Sequence, residues 1–212
     1  MKYFIDTEFR EKPNTIDLIS IGIKCEDGRE LYQISKDFNL RKVWKDDWLR
    51  ENVLRAIFDE LRFKDNEHRK RVAGISLISD FNYKQMKYLI GVYGKTIKEI
   101  NTNIRRFVYN PALEYDDGFH GLDACVDEYL KNNKIEFYGY FADYDWVVFC
   151  WIFGRMIDLP DGFPMYCKDL KQMMDSKKIK RDDIPIEPLT EHSALEDARW
   201  NLKVYNFISG VK

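Results

Sequence analysis

The sequence predicts an α/β fold, and three observations carry that expectation. The first 35 residues hold three β-rich runs joined by short turns. Residues 135–153 read as a strand, a short loop and a helix-length apolar segment closed by Gly154. The chain then ends on a helical stretch, His192 to Ile208, that opens with Ser193-Ala194-Leu195-Glu196.

The first strand is the run YFIDTEF. Tyr3, Phe4, Ile5, Thr7 and Phe9 are aromatic or β-branched, which is strand composition. Asp6 and Glu8 interrupt it. Successive strand side chains point to opposite faces, so these two carboxylates share one face, with Cα atoms about 7 Å apart. Like charges in a partly dry site repel and are costly to desolvate. The compensating charge has to be a basic side chain, a metal ion, or water at an exposed strand end.

Glu11 to Asn14 reads as a turn, and Asp17 to Lys24 as a second strand. Glu26-Asp27-Gly28 is an Asp-Gly hairpin signal, and Glu30 to Ser35 returns as a third strand, giving an antiparallel meander. Asp47 to Leu61 has helical periodicity. The basic run Arg62 to Arg71 follows, and Val72 to Ile78 reads as a short strand or buried connection. Phe81 to Tyr93 and Thr96 to Phe107 read as helices, Asn110 to Gly121 as a loop and Asp123 to Asn132 as a short helix. Ile135 to Phe141 is β-rich, and Asp145 to Phe153 is the helix behind it. Lys168 to Met174 reads as a short helix, Lys177 to Arg181 as a basic loop and Ile184 to Pro188 as non-helical. A chain of 212 residues fits one domain, with an insertion or elaboration expected at about 64–134.

Composition narrows the function classes. Thirty-four Lys and Arg stand against 36 Asp and Glu, so the chain is no globally basic nucleic-acid binder, although a local basic patch stays open. Cys25, Cys125, Cys150 and Cys167 form no CxxC pair and no zinc-finger spacing. They read as reduced thiols of a cytoplasmic protein. Asp6 and Glu8 break the only early apolar run, so no signal peptide is expected, and no apolar run is long enough for a membrane span.

The final helix supplies the other chemical signal. Ser193 fits the N-cap of a capping box, with Glu196 at N3. On one continuous helix, residues five apart diverge by about 140°. If the helix starts at Ser193, His192 folds back instead, and His192 and Asp197 can face one site. Asp145 stands at a strand-to-helix junction, where an acid suits the helix dipole. Each feature alone has an ordinary reading: a solvated strand edge, a helix-terminal charge, a chance spacing. Their order and local contexts together point to one acidic site.

Together these motifs resemble the DEDDh superfamily of 3′–5′ exonucleases, the RNase T-like or DnaQ-like group. They are Asp6-x-Glu8 in FIDTEF, Asp145 in YDWVVF, and His192 with Asp197 in HSALEDAR. More narrowly, FIDTEF, DLISIGIK with DGRELYQIS, YDWVVFCWIFG and HSALEDARWN look like the mycobacterial-type 3′–5′ exoribonucleases. The similarity covers roughly residues 2–60 and 135–208. Members with tyrosine place it four residues before the last aspartate, where this chain has Ser193; His192 lies five before. Many RNase T-like enzymes carry Asn four residues before the second-motif aspartate, where this chain has Phe141.

The resemblance implies an RNase H-like fold: a mixed sheet of about five strands beginning with the meander, with helices on both faces. It implies two divalent cations held by Asp6, Glu8, Asp145 and Asp197. All are hard oxygen donors suited to Mg²⁺ or Mn²⁺. His192 is implied as general base, with Thr7, Glu8, Phe9 and His192 contacting the terminal nucleotide. The expected reaction removes nucleoside 5′-monophosphates from the 3′ end of single-stranded RNA or an RNA overhang. A homodimer is a further implication. DNA hydrolysis by the same chemistry and a non-catalytic nucleic-acid-binding module are the alternatives.

Overall fold

The computed structural model describes residues 1–70, 76–113, 122–185 and 192–210, with side chains of 110–113 and 122–125 left aside. Five strands form one mixed sheet in the order β3-β2-β1-β4-β5. β1 (Lys2–Lys12) and β2 (Thr15–Cys25) make a long hairpin, and β3 (Glu30–Ile34) pairs antiparallel with β2. β4 (Glu136–Gly139) runs parallel to β1, and β5 (Lys168–Asp169) parallel to β4. The meander, the mixed sheet and the α/β class expected from the sequence are all present, consistent with an RNase H-like fold.

Eight α-helices stand among the described residues. α1 (Leu40–Lys45) is followed by a π-helical turn, Leu49–Leu54, that runs into α2 (Arg55–Lys70). α3 (Tyr83–Tyr93), α4 (Ile97–Leu113) and α5 (Leu122–Asn132) follow. α6 (Asp143–Phe153) comes after β4, and α7 (Leu170–Ser176) and α8 (Ala194–Ser209) close the chain.

Strand alternation sorts the core. Tyr3 and Ile5 of β1 pack on one sheet face with Ile100 and Ile104 of α4 and Phe149 of α6. Phe4, between them, packs on the other face with Leu170 and Met174 of α7 and Trp200, Val204 and Ile208 of α8. A third cluster joins Ile19 and Ile34 to α2 and α3. Helices therefore cover both faces. Asp6 and Glu8 share the parity of Phe4 and so belong to the α8 face. Between Glu8 and Phe9 the register shifts: Glu8 pairs with Ser20 and Phe9 with Leu18, leaving Ile19 unpaired. This bulge puts Leu18 in the same core as Ile21 and Ile23 despite the odd spacing. Bulges of this kind are common beside functional sites because they re-aim side chains.

Several expectations need correction. The basic run after Leu61 is not a separate segment, because α2 continues to Lys70. Three of its cations pair with acids of the same helix, and Arg71 lies outside the described residues. Arg62 pairs with Asp59 at 2.9 Å, Lys70 pairs with Glu67 at 2.6 Å, and Arg69 pairs with the buried Asp65. Asn110 to Leu113, expected as loop, extend α4, while 114–121 lie outside the described residues. Of the expected strand or connection at 72–78, residues 76–78 have no regular structure and the rest lies outside them. Residues 186–188 of the expected non-helical stretch fall outside as well. β5 takes Lys168 and Asp169, so the helix there starts at Leu170. Cys25, Cys150 and Cys167 are free thiols, and the side chain of Cys125 is among those left aside. No helix among the described residues is long and apolar enough to cross a membrane.

Candidate active site

Asp6, Glu8 and Asp197 come together. One carboxylate oxygen from each lies within 4.8 Å of the other two. The β1 pleat supplies Asp6 and Glu8, and the first turn of α8 supplies Asp197.

What lets α8 come so close is Gly22, the cross-strand partner of Asp6. A Cβ built on Gly22 would fall well inside 3.0 Å of the Ala194 carbonyl and the Leu195 nitrogen. The helix start therefore lies directly on the bare backbone of β2. Ala194 and Ala198 of α8 are fully buried, the small side chains such an approach requires. One turn on, Asn201 Nδ2 donates to the Ile5 carbonyl at 2.9 Å and ties α8 to β1. Arg199 grips β3 through Glu30, with Nε to Oε1 at 2.8 Å, and this pairing draws the Glu30 carboxyl down to about 2.

Asp145 stands beside this trio but outside its 4.8 Å grouping. The β1–β4 ladder ends at Phe4 and Tyr138, and Asp145 lies past that end in the first turn of α6. Its Oδ1 accepts the Thr7 backbone N–H at 2.8 Å and the Thr7 hydroxyl at 2.5 Å. Thr7 is thus buried and committed to orienting Asp145. Phe9, half-buried beyond the bulge, meets Tyr144 edge-on at 5.9 Å between centroids.

The last helix starts where the sequence places it, with Ser193 as N-cap, but the capping box does not form. The Ser193 side chain makes no cap bond, and Glu196 turns to Arg199 instead. The site has another use for Glu196: beside Arg199 and Glu30 it completes a charge cluster linking α8 to β3. His192 does precede the helix, as the spacing required. Its backbone adopts a left-handed φ of 62°, an uncommon conformation in which histidine is enriched. Its ring meets Trp48 edge-on, centroids 4.8 Å apart.

Electrostatics record the crowding. Burial, then the charges of Asp145, Glu8 and Asp197, push the Asp6 carboxyl well above the usual carboxylate range. Burial followed by Asp197 and Asp145 raises Glu8 to about 8. Burial raises Asp145 to about 6, although the two Thr7 hydrogen bonds pull it down. Such a set cannot ionise fully at neutral pH without added positive charge. The donors are all carboxylate oxygens, so the residues present fit hard divalent cations.

Gly22, Asn201 and Asp169 shape the site and Trp48 touches His192; none of the four was read as a site residue from the sequence. Asp169 accepts the Ala142 N–H at 2.8 Å and the Gln172 N–H at 2.8 Å, so it caps α7 and holds the turn that leads into Asp145. Its signal was present as Asp-Leu-Lys-Gln, an N-cap with Gln at N3. Phe141 lies in that turn with a left-handed φ of 53° and is 64% exposed. Asn adopts this conformation more readily than Phe.

Comparison with known proteins identifies the family. The chain is 27% identical over 212 residues to the 3′-5′ exoribonuclease Rv2179c of Mycobacterium tuberculosis (strain ATCC 25618 / H37Rv), covering 99% of this chain and 94% of that protein. The same identity and coverage hold for the 3′-5′ exoribonuclease MT2234.1 of strain CDC 1551 / Oshkosh. A family model, the 3′-5′ exoribonuclease Rv2179c-like domain, matches residues 1–209. The chain belongs to the Rv2179c-like 3′-5′ exoribonuclease domain family.

Proposed function

We propose that this protein is a metal-dependent 3′–5′ exoribonuclease that releases nucleoside 5′-monophosphates from single-stranded RNA or an RNA 3′ overhang. The observation that carries the reading is the meeting of Asp6, Glu8 and Asp197 within 4.8 Å, in a chain of an exoribonuclease family. These three, with Asp145 beside them, are the residues that would hold two divalent cations, Mg²⁺ or Mn²⁺. Bound there, the ions supply the positive charge and Lewis acidity that an in-line displacement at phosphorus needs.

The chain's own groups do the rest. His192 takes the proton of the attacking water; imidazole suits that role near neutral pH. Thr7 keeps Asp145 aimed through its two hydrogen bonds. Phe9 stacks on the terminal base, a contact worth about 1–3 kcal/mol in comparable sites. Residues 1–212 act as one exonuclease domain, with 64–134 as its elaboration.

The test is digestion of 3′- and 5′-labelled single-stranded RNA and matching DNA in Mn²⁺, Mg²⁺ or EDTA. Metal-dependent shortening of RNA from the 3′ end is expected, and Asp6→Ala and Asp197→Ala are expected to abolish it. Wild-type rates in either variant would refute the site. Faster digestion of the DNA would move the assignment to a deoxyribonuclease.

A further inference from the structure

Trp48 stands just before the π-helical turn and is 54% exposed. Its backbone is nonetheless well held. The Trp48 carbonyl accepts from Asn52 Nδ2 at 2.9 Å, and the next residue, Leu49, donates its N–H to Asp46 Oδ1 at 3.0 Å and is buried. The ring thus projects from a fixed base. Its centroid lies 4.8 Å from that of the His192 imidazole, with the planes at 72°.

Among the described residues, His192 has less support from its own segment. It lies outside α8, its φ is left-handed, and the Ser193 side chain that follows makes no cap bond. The bond from Asp197 N–H to the Ser193 carbonyl at 2.9 Å fixes the helix start and not the ring. A half-buried imidazole placed this way retains rotamer freedom unless a neighbour removes it. Proton transfer needs the acceptor nitrogen within hydrogen-bond reach of the water, so that freedom lowers turnover.

We propose that Trp48 is a positioning residue for His192. Its ring holds the imidazole edge-to-face in the orientation that receives the proton, and the π-helical turn fixes Trp48 for that purpose. The proposal rests on the reading of His192 as general base.

The experiment is a double-mutant cycle on labelled RNA with saturating Mn²⁺, using Trp48→Ala, His192→Ala and the double variant, with Trp48→Phe as the conservative control. Because the ring is more than half exposed, truncation opens no core cavity; Trp48→Phe keeps an aromatic ring in any case. Trp48→Ala is expected to lower kcat about tenfold, equivalent to about 1.4 kcal/mol, with KM changed by less than about twofold. Trp48→Phe is expected to restore most of the loss. In the His192→Ala background, Trp48→Ala is expected to do nothing further, because residues acting through one another are not additive. An equal drop in both backgrounds, a change in KM alone, or wild-type kcat in Trp48→Ala would each overturn the proposal and leave the assignment of His192 standing. A wild-type rate in His192→Ala would instead remove the general-base reading, and the role of Trp48 with it.

Discussion

Gly22→Ala is a substitution far simpler than its expected effect. The new Cβ meets backbone atoms of Ala194 and Leu195, not flexible side chains, and all lie well inside 3.0 Å. To reach ordinary contact at 3.4 Å, the first turn of α8 has to retreat by roughly 1 Å. Overpacking of this kind costs about 1–3 kcal/mol of stability. Asp197 rides on that same turn, so it withdraws from Asp6 and Glu8 by a similar distance. A misplacement of about 1 Å in a catalytic constellation can cost on the order of 100-fold in rate. We therefore expect Gly22→Ala to fold, to melt a few degrees lower, and to lose about 100-fold in kcat on labelled RNA. Its stabilisation by Mn²⁺, read as a thermal shift, should weaken in parallel. A variant that keeps wild-type kcat and the wild-type Mn²⁺ shift would show that the close approach of α8 does not set the site.

Two further outcomes follow from charge and packing. Without divalent cations, stability should fall as pH rises from about 4.5 to about 8, because the folded Glu8 holds its proton over that window while the unfolded one has released it. The loss should amount to a few kcal/mol; urea midpoints at pH 5 and pH 8 measure it, and a slope that neither Mn²⁺ nor Glu8→Gln flattens would disprove the cause. Asn201→Leu removes the bond from Nδ2 to the Ile5 carbonyl deep between α8 and β1. It should cost about 2 kcal/mol and lower Tm by roughly 4–8 °C; an unchanged Tm would show the tie to be dispensable.

The strands and the acids were legible early because their signals are local. Alternation in YFIDTEF, the Asp-Gly hairpin and the strand–loop–helix around Asp145 depend on neighbours within a few residues, where backbone geometry dictates side-chain direction. The start of the last helix was legible for the same reason. The capping box failed although its pattern was right, because Glu196 pairs with Arg199, whose guanidinium is itself held against Glu30, 169 residues away. The helical continuation to Lys70 was hidden because a run of charges carries no apolar stripe. Arg62, Arg69 and Lys70 pair with Asp59, the buried Asp65 and Glu67.

The sequence by itself determined which carboxylates are present, that Asp6 and Glu8 share a strand face, and that His192 stands one residue before a helix that begins at Ser193. The tertiary structure alone decided that Asp197 joins Asp6 and Glu8 while Asp145 answers to Thr7, and that Trp48 lies against His192. Proximity between residues up to 191 positions apart depends on how closely α8 can approach β2. That distance is set by the absence of a side chain at Gly22, which acquires meaning only once the helix lies upon it.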